Sequence, residues 1–167
     1  MNALAGLVVV LVITGVAPRP VPASAAQAGG TSPFGSRAVA GAEFAARSIQ
    51  QDGCPLEVAV TGTGRDERGV TLSLRLTNAA DAPVSRHVIG VWVIAADGTV
   101  RGSQQAKGSV ALAAGESRST DIVLRMIAVQ KGDTIVAAVQ EAAGATVWRK
   151  DQKTLQDEVR TAVVSPK

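Results

Sequence analysis

"VTLSLRLTNAADAPVSRHVIGVWVIAADG", residues 70–98, decides the fold class. Val70, Leu72, Leu74 and Leu76 alternate with Thr71, Ser73, Arg75 and Thr77. A period of two puts the aliphatic side chains on one face and the polar ones on the other, the pattern of an antiparallel strand with one wet face. The chain then breaks at Asn78–Pro83. Asn and Asp side chains bond to nearby backbone and Pro presets φ, so this segment is chemically sufficient for a corner. Val88–Ala95 follows, apolar on both parities, the pattern of a central strand. Trp92 on it is expected to point into the core. Asp97-Gly98 is a strong hairpin signal, with Thr99–Gln105 as the return strand.

The pattern repeats outward from this stretch. Leu56, Val58 and Val60 alternate ahead of the polar segment "GTGRDERG", residues 62–69, which reads as a turn. Downstream, Val110 and Leu112 precede a turn at Ala114-Gly115-Glu116. Ile122, Leu124 and Met126 alternate, and Lys131-Gly132-Asp133 makes a corner. Thr134–Glu141 reads as a Val- and Ala-rich strand, and Ala143-Gly144 turns into Ala145–Arg149. Turn signals about every ten residues along a chain of short strands predict an all-β sandwich of about 7–8 strands over residues 55–150. Helices do not alternate with the strands, which disfavours a parallel α/β sheet.

The flanks differ. Leu4–Ala17 is an apolar run of 14 residues, short of the roughly 20 needed to span a bilayer. Pro18, Pro20 and Pro22 follow it, then Ala23-Ser24-Ala25. Residues 1–25 therefore read as a secretory signal peptide cleaved after Ala25 or Ala26, although the n-region carries no Lys or Arg. That predicts export to the periplasm or beyond, with no stable membrane span after cleavage. An uncleaved anchor is the alternative. Residues 26–54 read as flexible or partly helical, with a short Ala-rich helix over Arg37–Gln51 and Ser36 as its N-cap. The tail, 151–167, reads as a short amphipathic helix or an irregular segment: Leu155, Val159, Ala162 and Val163 fall at helical spacing. Thr154-x-x-Asp157 resembles a capping box there, and Pro166 would end the helix.

Composition narrows the chemistry. Seventeen basic against 14 acidic residues leave a formal charge of +3. The cations are scattered and no aromatics are interleaved with them, so a nucleic-acid partner is not expected. One His and one Cys cannot ligate zinc or copper within the chain. The two carboxylates of Arg65-Asp66-Glu67-Arg68 are flanked by cations and read as a solvated turn, and no phosphate loop is present. No metal, cofactor or catalytic set is expected. Cys54 cannot form an internal disulfide, and burial of the thiol is the leading expectation. A hydrolase using Cys54 or Ser85 with His87 is the enzymatic alternative, although no motif surrounds these residues. Trp148 is the candidate surface aromatic for a glycan or small ligand; as a structural residue it would cover a sheet edge with the C-terminal helix.

"NAADAPV" at 78–84, "AADG" at 95–98 and "LAAGES" at 112–117 together resemble exported bacterial immunoglobulin-like or fibronectin-III-like domains. The resemblance covers residues 56–149 and implies an immunoglobulin-like antiparallel sandwich, with Trp92 in the place of the core Trp. The chain departs from antibody domains in lacking a disulfide pair and any Tyr. Some bacterial protease-inhibitor domains share the pattern. The expectation is an exported, non-enzymatic module that binds another envelope or extracellular protein or supports an envelope assembly, with protease inhibition as a further candidate. Asn78, Asp81 and Pro83 form the candidate interaction loop, because recognition commonly sits on loops at one end of a sandwich.

Overall fold

The computed structural model describes residues 43–164. Eight strands form two sheets, and one helix follows. The strands are β1 (Ala45–Ser48), β2 (Leu56–Asp66), β3 (Gly69–Asn78), β4 (Val84–Ile94), β5 (Val100–Gly108), β6 (Ser117–Leu124), β7 (Thr134–Gly144) and β8 (Val147–Arg149). The helix is α1 (Gln152–Val164). The three-stranded sheet runs β2-β3-β6. The five-stranded sheet runs β1-β7-β4-β5, with β8 also on β7. β1 pairs with residues 134–137 of β7 and β8 with residues 141–143, so the two share one edge of that strand. All pairings are antiparallel except β1 with β7. The chain is an all-β sandwich.

The alternating residues read from the sequence fill the space between the sheets. Leu56, Val58, Leu72, Leu74 and Leu76 of the three-stranded sheet face Ile89, Val91, Val93, Ile135 and Val139 of the other, each at 2 % exposure or less. Burying side chains of this size is worth roughly 1.5–3 kcal/mol apiece.

A second core lies on the opposite face of the five-stranded sheet. Trp92, Ile94, Val136 and Ala138 turn outward, away from the three-stranded sheet, and α1 lies over them with Leu155 and Val159. Ala162 and Val163 complete the helix's apolar stripe at the predicted spacing. This explains why β4 is apolar on both parities: one face meets the other sheet, the next meets a helix. It also corrects the expected place of Trp92. The residue is buried, at 1 % exposure, but on the helix side rather than between the sheets. Its neighbour Gly90 makes the fit possible. The indole folds back along its own strand, and a Cβ at Gly90 would lie well inside contact distance of the ring. Gly90→Ala therefore destabilises the fold by about 1–3 kcal/mol, the usual cost of overpacking. Denaturant unfolding checks this, and an unchanged midpoint would contradict the placement of the ring.

Other expectations also shift. The Ala-rich segment is not helical where it is described: Ala45–Ser48 is strand β1. Helix propensity yields there to pairing with β7 and to burial of Ala46 and Ile49. "GTGRDERG" is mostly strand. β2 runs to Asp66 and β3 starts at Gly69, leaving a tight turn at Glu67-Arg68, where the Asp66 carboxylate accepts the Arg68 backbone N–H at 2.8 Å. Helix α1 is capped by Asp151, not by Thr154. Asp151 Oδ2 accepts the N–H groups of Lys153 and Thr154 at 3.0 and 3.1 Å, satisfying two of the free donors of the first turn. At the far end, Arg47 donates to the carbonyl of Ala162 at 3.2 Å, tying β1 to the helix. Met126 lies past the end of β6 and is 96 % exposed. Residues 1–25, read above as a signal peptide, and Ser36 and Pro166 lie outside the described residues.

Candidate functional site

The corner at Asn78–Pro83 carries the chain from one sheet to the other, and Asn78 builds it. Its side chain is fully buried. Nδ2 donates to the carbonyls of Ala82, Leu112 and Ala113 at 2.9, 3.0 and 3.1 Å, and Oδ1 accepts the N–H of Ala80 at 3.0 Å. The backbone of Asn78 also pairs with Glu116 and Gly115. One amide thereby holds the 78–83 corner against the 112–116 loop. Asp81 and Pro83 remain exposed. Of the three loop candidates, Asn78 is therefore architectural and unavailable to a partner.

The residues of the hydrolase alternative are not joined. Ser85 Oγ donates to the carbonyl of Ala143 at 3.1 Å, and Cys54 Sγ donates to that of Leu56 at 3.1 Å. Burial pushes the Cys54 thiol up to about 11, so it is not an activated thiolate at neutral pH. His87 is buried over Gly108, its cross-strand partner on β5, and its Nδ1 is buried without a hydrogen-bond partner. A Cβ at residue 108 would lie well inside contact distance of Nε2 of the imidazole.

Burial, and then the charge of Arg118, lower the pKa of His87 below its ordinary 6.5. The unfolded chain therefore takes up the proton first. The stability contributed by neutral His87 is complete above pH 6.5 and is lost as pH falls through the lower folded-state value. Urea midpoints measured between pH 5 and 8 should fall on the acid side of 6.5 in the native chain, and less steeply in His87→Gln. Equal slopes would contradict the burial of a neutral imidazole.

Trp148 is half-buried. It sits on β8 opposite Ala142 and packs against the inter-sheet core. It closes the edge of the sandwich without contributing to the cluster beneath α1.

The structure assembles a different site on the outer face of the five-stranded sheet. α1 covers only the part of that face around Trp92. The remainder is an open groove of about 600 Å³. Arg86 and Val88 of β4, Gln105 and Lys107 of β5, and Gln140 and Glu141 of β7 form its floor. Arg149, Lys150 and the start of α1 form one wall. Register brings these residues together: Val88 lies opposite Lys107 on one side and Glu141 on the other, and Glu141 opposite Arg149. A bulge contributes as well. The register of β4 with β7 shifts between Val88 and Ile89, so Gln140 is the extra residue of β7 at that point.

Glu141 is the centre of the groove. Its side chain is 7 % exposed and clamped from both sides. Arg86 donates from Nε and Nη2 to Oε1 at 3.1 and 2.7 Å, and Arg149 donates from Nε to Oε2 at 2.9 Å and also from Nη2. The hydrogen bonds from Arg149, with those from Arg86, hold the Glu141 carboxyl below its ordinary range against the opposing effect of burial. Gln105 donates to Gln140 Oε1 at 2.8 Å. Lys150 pairs with Glu158. Lys107 is exposed and makes none of the ion pairs found among the described residues. The lining holds four cations against the carboxylates of Glu141 and Asp151, so its field is positive. Asp151 already occupies donors at the N-terminus of α1.

Among the described residues no group of three or more His, Cys, Asp or Glu is placed to hold a metal ion. No helix there is long and apolar enough to cross a membrane.

No protein-family model and no curated protein matches the chain. Two solved structures are similar in outline. A hypothetical protein from Peptoclostridium difficile 630 aligns with a TM-score of 0.46 at 11 % identity, over 65 % of this chain and 93 % of its own. The trimeric lipoprotein SadB of Salmonella enterica aligns with a TM-score of 0.40 at 13 % identity, over 57 % of this chain and 54 % of its own.

Proposed function

We propose that this chain is an exported, non-enzymatic, immunoglobulin-like module that binds another envelope or extracellular protein through the groove around Glu141. The observation that carries the reading is the division of one sheet face. Its apolar part is sealed by the chain's own helix, while its polar part is left open with a net positive lining. Strand pairing supports the immunoglobulin-like reading. The orders β2-β3-β6 and β5-β4-β7-β8 correspond to strands A-B-E and C′-C-F-G of such domains. The helix-side position of Trp92 is a departure from that family. The leader-like residues 1–25 support export.

A photo-crosslinking residue at Gln105, in the native envelope, tests the reading. The same residue at Arg75, exposed on the three-stranded sheet, is the control. A discrete adduct from position 105 that is absent from position 75 is the expected result. Adducts from neither, or equal adducts from both, would overturn it. A mature mass that still includes residues 1–25 would remove the exported, cleaved part of the proposal.

A further inference from the structure

Resting on that reading of the groove, we infer that its ligand is an extended polypeptide segment rich in Asp and Glu. Three features select this chemistry. The first is charge: four cations line the groove against two lining carboxylates, and with Glu158 on Lys150 counted the cations still exceed the carboxylates by one. The second is how the donors are spent. Arg86 and Arg149 both commit their Nε and Nη2 groups to Glu141. The side-on Nε–Nη2 edge of each guanidinium, one of its two forks for phosphate, is thus already occupied, and each keeps only its end-on Nη1–Nη2 edge. What remains are the outer Nη edges of the two arginines and the Lys107 ammonium, with the Lys150 ammonium already shared with Glu158, distributed over β4, β5 and the β8–α1 junction. Such an array matches several separate carboxylates better than one compact anion. The start of α1 adds no focused anion site, because Asp151 caps it.

The third feature is the lack of a stacking surface. Val88 is the lone aliphatic side chain of the lining, and no aromatic joins it. A sugar ring would find no platform. The amides of Gln105 and Gln140 instead offer donors and acceptors to a peptide main chain. A volume of about 600 Å³ suits several residues of chain, since ligand clefts span roughly 300–1,000 Å³.

The test is calorimetry on the purified full chain with hexaglutamate, trigalacturonate and inorganic phosphate as probes. The native chain is compared with Lys107→Glu. Lys107 is exposed and pairs with no carboxylate among the described residues, so its reversal leaves the fold intact, which an unchanged unfolding midpoint verifies. Hexaglutamate is expected to bind more tightly than the other two probes. Its affinity should fall as salt approaches about 1 M, where the Debye length is about 3 Å. Lys107→Glu should weaken it about tenfold, the loss of one attraction and the gain of one repulsion at an exposed site. No binding of hexaglutamate, equal affinity in the variant, or tighter binding of trigalacturonate or phosphate would each overturn the inference. The two proposals fail separately. A crosslink at Gln105 without hexaglutamate binding retains the partner face and removes the acidic ligand. Hexaglutamate binding without a crosslink does the reverse.

Discussion

Replacing Trp92 by alanine lowers the free energy of unfolding by about 3–5 kcal/mol, the range for removing a large buried aromatic. The expected loss is at the top of this molecule's range because the indole spans the second core. It packs with Ile94, Val136 and Ala138 of the sheet and with Leu155 and Val159 of the helix, so its removal leaves a cavity that neither partner can fill alone. The effect should be local as well as global. In Trp92→Ala the amides of Gln152–Val164 should exchange hydrogen faster than those of β2, β3 and β6. Denaturant unfolding gives the magnitude and hydrogen exchange gives the location. If α1 stayed as protected as the three-stranded sheet, Trp92 would not be the residue that fastens the helix.

Asn78→Asp is the second large effect, at about 3–5 kcal/mol, the cost of stranding a buried charge without a partner. The change is nearly isosteric. It replaces an NH₂ group that serves three carbonyls, those of Ala82, Leu112 and Ala113, with an oxygen that repels them. The Leu112 and Ala113 carbonyls are also bound by the N–H groups of Val84 and Glu116, and each keeps one donor; the Ala82 carbonyl loses the donor that Asn78 supplies. Asp81→Ala, in the same loop but exposed, should stay within about 0.5 kcal/mol. Comparable losses from the two variants in urea unfolding would mean that the corner is not held by Asn78.

These two residues also define what could be read in advance. The alternation of Val70–Leu76 and of Leu56–Val60 placed two strands without ambiguity, because a half-buried antiparallel strand writes its orientation into every second residue. Val88–Ala95 announced a central strand, and Leu155–Val163 announced an amphipathic helix. The connection between them was not written in either segment. Only the crossing of α1 over β4 and β7 decides which parity of β4 faces the other sheet, and hence where Trp92 points. Asn78 looked the same as a turn residue and as a recognition residue, since both uses begin with a polar side chain beside a Pro. Its burial comes from the 112–116 loop, more than thirty residues away in sequence.

The groove left almost no local signal. Arg86, Gln105, Lys107, Glu141 and Arg149 each occupy a polar position in a strand, and singly each reads as a solvated face. They meet because β5, β4, β7 and β8 pair in a particular register with a bulge at Gln140. Cations that are scattered along the chain become a cluster in this way. The strongest hint in the sequence was negative: the outward parity of β4 is apolar from Trp92 to Ile94 but polar at Arg86, so a helix covering one end would leave the other open.

On the proposed reading, partner recognition lies on this open half of the five-stranded sheet and not on the Asn78–Pro83 corner. Amide chemical shifts of the isotope-labelled chain, followed during titration with hexaglutamate, test it most directly. Changes are expected at Arg86, Gln105, Lys107, Glu141 and Arg149, with β2, β3 and β6 unmoved. Changes centred on Ala79–Pro83 or on the three-stranded sheet would contradict it.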